Sequence, residues 1–131
     1  MRLIAFVGLG SALGGIARYL LSAAIQHRTS SAFPSGTLVI NITGSLLLGF
    51  LVRYALATPS ISTEVRALLT TGFCGGYTTF STYSFETATL LEDGDYRRAA
   101  LYAAASVALA LAGTFAGFSA ARELLALRGR A

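Results

Sequence analysis

Charge is missing from this chain over lengths that match the thickness of a lipid bilayer. Residues 29–52, 67–85 and 99–121 contain no Asp, Glu, Lys or Arg, and between Leu3 and Gln26 the only charge is Arg18. A helix needs about 20 mostly apolar residues to cross a hydrocarbon layer ~30 Å thick. Four such spans fit, at 3–26, 36–57, 64–92 and 97–121. A hydrophobic content of 54 % agrees. A soluble four-helix bundle would need a polar face along each helix, and these stretches have almost none. The chain therefore reads as an all-α membrane protein, with residues 1–131 forming one integral membrane domain. The first span reads as retained rather than as a signal peptide. It has no positively charged start beyond Arg2, it contains Arg18, and no cleavage region follows it.

The formal net charge of +4 does not point to nucleic acid. All ten basic residues are arginines, scattered near span ends without interleaved aromatics. Four spans put the N-terminus, the 58–63 loop and the C-terminus on one side, together with Arg2, Arg53, Arg66, Arg122, Arg128 and Arg130. The other side holds Arg18, Arg28, Arg97 and Arg98. Six against four is a weak bias for the rule that places positive loops inside. Insertion in both orientations follows as an expectation.

Several chemistries are excluded. Cys74 is alone, so there is neither a disulfide framework nor a cysteine metal site. His27 is the single histidine and sits at a span end, where it reads as an interfacial side chain. No Ser-His-Asp set, carboxylate pair at one level or phosphate-binding loop is present, so an enzyme is not expected.

Pro34 with Gly36 marks the start of the second span, and Pro59 with Ser60 the turn before the third. Ser62-Thr63-Glu64 predicts a helix N-cap with an acid in the first turn. Glu92-Asp93-Gly94-Asp95 predicts a tight turn into the fourth span.

Burial in lipid does not call for the run Gly72-Phe73-Cys74-Gly75-Gly76-Tyr77-Thr78-Thr79-Phe80-Ser81-Thr82-Tyr83-Ser84. Paired glycines weaken helix, and threonines compete for backbone hydrogen bonds. From Glu64 to Gly75 is about 16 Å of helix at ~1.5 Å per residue, half of a ~30 Å core. A broken third helix is expected there, near the midplane. Irregular backbone at that depth is tolerated only where protein buries it or where it lines a watery cavity. Many transport proteins place ion sites at such interruptions.

Arg18, Asn41, Glu86 and Tyr102, one from each span, fall at one level toward the side that carries the 27–35 and 93–96 loops. Thr37, Asn41 and Ser45 recur every four residues and share a face. Asn41 serves either as an interhelical hydrogen bond or as part of a wet pathway. Tyr102, Ser106 and Thr114 form a hydroxyl stripe on the fourth span, interrupted at Ala110. Phe80 and Tyr83 face nearly the same way and alternate with Ser81, Thr82 and Ser84. A ring has a positive edge, which can touch a small anion without the grip of a full cation. Arg18 and Glu86 are the charges well inside spans and are functional candidates; a structural ion pair between them is the alternative. Gly10/Gly14, Ser11/Gly15 and Gly113/Gly117 allow close helix contact. Four helices alone make a thin bundle, so an oligomer is expected.

These motifs resemble the Fluc (CrcB) fluoride ion channel family. The resemblance runs through Gly14-Gly15-Ile16-Ala17-Arg18-Tyr19, then Pro34-Ser35-Gly36-Thr37-Leu38-Val39-Ile40-Asn41, then Gly72 to Ser84 with Glu86. It implies four transmembrane helices, an antiparallel dual-topology homodimer, two fluoride pores and one structural sodium ion on the dimer axis. Asn41, Phe80 and Tyr83 would face the pore, with hydroxyls from Thr37, Ser81, Thr82, Ser84, Tyr102, Ser106 and Thr114. Arg18, with Glu86, would lie at a vestibule, and Gly75 and Thr78 would give carbonyls to sodium. The function implied is passive fluoride export across a bacterial-type inner (plasma) membrane, relieving fluoride toxicity. Tyr83 stands where that family usually has Phe, and Ala110 lacks the expected hydroxyl. A dual-topology multidrug or cation exporter is the alternative. It would be expected to carry a carboxylate in the first span, where this chain has only Arg18. A scaffold subunit would leave the midplane break unexplained.

Overall fold

The computed structural model describes residues 1–29 and 32–129. Arg130 lies outside them. Regular structure among the described residues is entirely helical: α1 (Arg2–Thr29), α2 (Ser35–Leu56), α3 (Thr63–Ala67), a wider π-helical segment (Leu68–Cys74), α4 (Gly75–Tyr77), α5 (Phe80–Glu92) and α6 (Tyr96–Arg128). Three helices, α1, α2 and α6, are long and apolar enough to cross a membrane. The fourth stretch is assembled from the shorter pieces between Thr63 and Glu92.

Local chemistry sets most of the boundaries. Ser62 Oγ accepts the Val65 N–H at 3.2 Å and starts α3, with Glu64 in the first turn. Asp95 caps α6 through the Arg98 N–H at 3.2 Å. At the end of α5 the Asp95 N–H reaches back to the Leu90 carbonyl and the Gly94 N–H to that of Leu91. This closure needs a left-handed residue, and Gly94 supplies it with φ 75°. The fourth span was expected to end at 121, where charge returns; α6 instead continues to Arg128. Charge marks where a helix leaves lipid, whereas Arg, Glu, Leu and Ala all favour continued helix.

Glycines let these helices touch backbone to backbone. A Cβ on Gly117 of α6 would sit 2.7 Å from the Phe50 nitrogen and closer still to the Leu46 carbonyl, both on α2. On the other side of the bundle, α1 packs through Gly10 and Gly14 against residues 68–77, and a Cβ on Gly76 would lie 2.9 Å from Ser11 Cα. Backbone cannot move aside as a side chain can. Gly117→Ala is therefore expected to cost roughly 1–3 kcal/mol of stability. Gly8→Ala, with nothing within 4 Å of its Cβ, should be silent. Thermal aggregation of the two variants in detergent checks this.

Little of the apolar surface is covered from within. Only 11 % of the apolar window of α1 is buried, and Leu101, Leu111 and Phe115 of α6 are all exposed. Contiguous apolar surface on this scale is foreign to a soluble monomer. Lipid or a second chain must cover it.

Candidate functional site

Between α4 and α5 the helical ladder stops for two residues. Thr78 (φ −82°, ψ 159°) and Thr79 (φ −151°, ψ 116°) are extended. Within the Gly75-Gly76-Tyr77-Thr78-Thr79 stretch where the break was expected, it is the threonine pair that leaves helix. Gly75 is helical, and Gly76 lies in the same short helix with its Cα face close against Ser11. The extended pair is held by side chains instead. Asn41 Oδ1 accepts the Thr79 N–H at 2.9 Å, and Asn41 Nδ2 donates to the Thr79 carbonyl at 3.0 Å. One amide thus satisfies both backbone groups of a buried residue, as a neighbouring strand would. Thr79 Oγ1 then caps α5 through the Thr82 N–H at 3.2 Å, donates to Thr82 Oγ1 at 3.0 Å and lies 3.1 Å from Ser81 Oγ.

A second hub lies beyond this one along α5. Thr37 Oγ1 donates to Glu86 Oε1 at 2.8 Å, and the fully buried Tyr102 donates its hydroxyl to Glu86 Oε2 at 2.6 Å. Hydrogen bonds to a carboxylate are about twice as strong as neutral ones, so this group ties α2, α5 and α6 together. Glu86 is thereby committed to hydroxyls. Arg18 forms no ion pair among the described residues. The alternative of an Arg18–Glu86 pair is not what the fold adopts.

Aromatic rings run beside these hubs. Phe80 and Tyr83 have centroids 5.4 Å apart, as do Tyr83 and Tyr102, and Phe33 meets the Tyr102 ring at 5.6 Å edge-on. Phe80 is 80 % exposed. Together with Asn41, Ser45, Tyr83, Ser106 and Ala110 it lines a cleft of about 280 Å³. Ser106 Oγ is buried there with no hydrogen-bond partner among the described residues. A buried donor without a partner costs about 1–3 kcal/mol, so this hydroxyl is suited to a guest. Arg18 lines a different cavity of about 410 Å³, with Gln26, Thr37, Thr79 and Thr82. Thr79 borders both.

The structure therefore gathers Asn41, Phe80, Tyr83 and Ser106 at one cleft and Arg18, Thr37 and Thr82 at another, with Glu86 and Tyr102 bonded together beside them. It does not bring Ser84 or Thr114 to either. Ser84 Oγ donates to the Phe80 carbonyl at 2.9 Å and Thr114 Oγ1 to that of Ala110 at 3.1 Å. Ser81 is exposed and turned toward Thr79. Thr79 and Ser45 were not singled out as site residues. Ser45 shares the periodicity of Thr37 and Asn41, whereas the bond from Thr79 to Asn41 spans 38 residues and leaves no local trace. No hydrogen bond among the described residues reaches the carbonyl oxygen of Gly75 or Thr78, and no His/Cys/Asp/Glu cluster is present among them. Free carbonyls without carboxylates suit a hard monovalent cation better than a divalent one.

This arrangement has relatives. The family model described as "CrcB-like protein, Camphor Resistance (CrcB)" matches residues 5–118. The chain belongs to the CrcB-like family. A curated relative from Geobacter sulfurreducens, named "Fluoride-specific ion channel FluC", is 48 % identical over 124 residues, covering 95 % of this chain and 100 % of its own. Relatives of the same name from Chlorobaculum tepidum and Rhizobium meliloti are 46 % and 42 % identical, covering 89 % and 95 % of this chain and 92 % and 100 % of theirs. The CrcB-like match takes in most of α1, all of α2 and the interrupted segment, and most of α6, so both clefts lie within it.

Proposed function

We propose that this chain is a subunit of a fluoride-selective channel in a bacterial-type inner membrane, letting fluoride leave the cytoplasm passively and relieving its toxicity. The reading rests on the relatives' name and on one observation, the cleft where Phe80 and Tyr83 meet Asn41 and the unpartnered Ser106 hydroxyl. Its donors are neutral. Ring edges, an amide N–H and a hydroxyl can replace part of an anion's hydration without a fixed cation. Binding that is favourable on arrival and weak enough for departure is what conduction requires. Arg18, unpaired in the neighbouring cavity, raises the local anion concentration before entry.

The working unit in this reading is an antiparallel homodimer with four spans per chain, the third broken at Thr78–Thr79. The nearly balanced arginines and the largely uncovered faces of α1 and α6 support it. Reporters fused to the C-terminus are expected on both sides of the membrane in comparable amounts; one orientation alone would remove the dual topology. A structural sodium ion on the dimer axis, held by the carbonyls of Gly75 and Thr78 from both chains, is part of the same proposal. Replacing sodium with a large organic cation is expected to shift the dimer–monomer balance at least tenfold toward monomer, and indifference to sodium would count against the site.

The function is tested in liposomes with a fluoride electrode. Fast fluoride release without chloride release is expected. Proton-coupled cation uptake would favour an exporter instead, a reading for which α1 supplies no carboxylate.

A further inference from the structure

A cleft of about 600 Å³ opens between the last turns of α2 and α6, far along the chain from the polar hubs. Its walls are Val52, Arg53, Leu56, Phe118, Arg122 and Leu125. Both arginines are exposed, and neither is in an ion pair among the described residues. The acids of this end, Glu64 and Glu123, do not line the cleft. The Arg53 guanidinium lies over the Phe118 ring, 5.6 Å from its centroid, which holds one positive charge against the apolar wall.

Depth decides what such a cleft can receive. α6 has 33 residues, roughly 50 Å of helix against a ~30 Å hydrocarbon core. Its final turns therefore stand at headgroup level, with Arg122 among them. Phe118 lies one turn deeper, and Phe115, 64 % exposed, meets its ring edge-on deeper still. Two uncompensated cations above a continuous apolar wall have the charge and shape complement of one amphiphile. We infer that this cleft binds an anionic phospholipid, with the phosphate between Arg53 and Arg122 and an acyl chain along Phe118 and Phe115. Juxtamembrane basic residues attract acidic headgroups, and basic pockets between spanning helices select them.

The experiment uses the full chain exchanged into equimolar phosphatidylglycerol and phosphatidylcholine, with retained lipid counted by native mass spectrometry. The parent is expected to retain phosphatidylglycerol preferentially. Arg53→Gln with Arg122→Gln should lower that retention about tenfold or more while leaving phosphatidylcholine unchanged. Arg122 makes no hydrogen bond within the described chain, so Arg122→Gln alone reports the same loss in part if the double variant does not fold. Arg97→Gln, at the other end of α6, should leave the preference intact. Equal retention of the two lipids by the parent, an undiminished preference in the Gln variants, an equal effect of Arg97→Gln, or displacement of the lipid by millimolar inorganic phosphate would each overturn the site.

Discussion

Asn41→Ala is expected to lower fluoride efflux by about a hundredfold or more, and to lower dimer stability with it. The amide makes two bonds to the backbone of Thr79, at 2.9 and 3.0 Å, and Thr79 is buried. Removing it takes both protein partners from the N–H and the carbonyl of a buried residue. Each such group costs about 1–3 kcal/mol. The extended pair Thr78–Thr79 then loses what holds it out of helix, and α5, which carries Phe80 and Tyr83, loses its fixed origin. Asn41→Asp separates the two effects. Its carboxylate still accepts the Thr79 N–H but cannot donate to the Thr79 carbonyl, so part of the loss in stability remains, while a negative charge beside the cleft should stop anion flux as completely as alanine does. Efflux from liposomes, alongside size-exclusion profiles of the same samples, reads both. Full flux in Asn41→Ala would mean that the cleft is not the conduit.

Phe80→Leu is the second large effect, and here the fold offers a clean test. Phe80 is 80 % exposed within the chain, so exchanging it for another apolar side chain of similar bulk should cost well under about 1.5 kcal/mol. What disappears is the ring edge. Loss of most fluoride flux in a correctly assembled dimer is expected; normal flux would end the aromatic-edge mechanism. Tyr83→Phe should behave in the opposite way. The Tyr83 ring is held between those of Phe80 and Tyr102 at 5.4 Å on each side, a geometry that phenylalanine preserves. Its hydroxyl makes no hydrogen bond among the described residues, so removing it leaves nothing orphaned. A hydroxyl that can grip the anion slows its exit, and Tyr83→Phe is therefore expected to conduct at least as fast as the parent. Slower conduction would assign the hydroxyl a productive contact with the ion.

Much of this protein was legible from charge and composition. The arrangement of α1, α2 and α6 follows from uncharged runs of membrane length, because charge is too costly in hydrocarbon to be hidden. The capping roles of Ser62 and the turn at Gly94 were also visible, since caps and tight turns are local and each depends on one residue's chemistry. The four-residue spacing of Gly10/Gly14 and Gly113/Gly117 marked the close contacts, because any Cβ there would meet backbone.

Tertiary structure decided the rest. Composition marked Gly75-Gly76-Tyr77-Thr78-Thr79 as the break but not which of these residues leave helix; a helix accepts glycine when its backbone is packed, as Gly76 is against Ser11. The chain leaves helix at Thr78–Thr79 because Asn41, 38 residues away, replaces the hydrogen bonds that the helix would have provided. Whether Glu86 would pair with Arg18 or with Thr37 and Tyr102 was equally out of reach. Arg18 and Glu86 share a depth, but partner choice depends on how α2, α5 and α6 are rotated against one another. Sequence periodicity reports which residues share a face of one helix. It carries no information on which face of a neighbouring helix that face will meet.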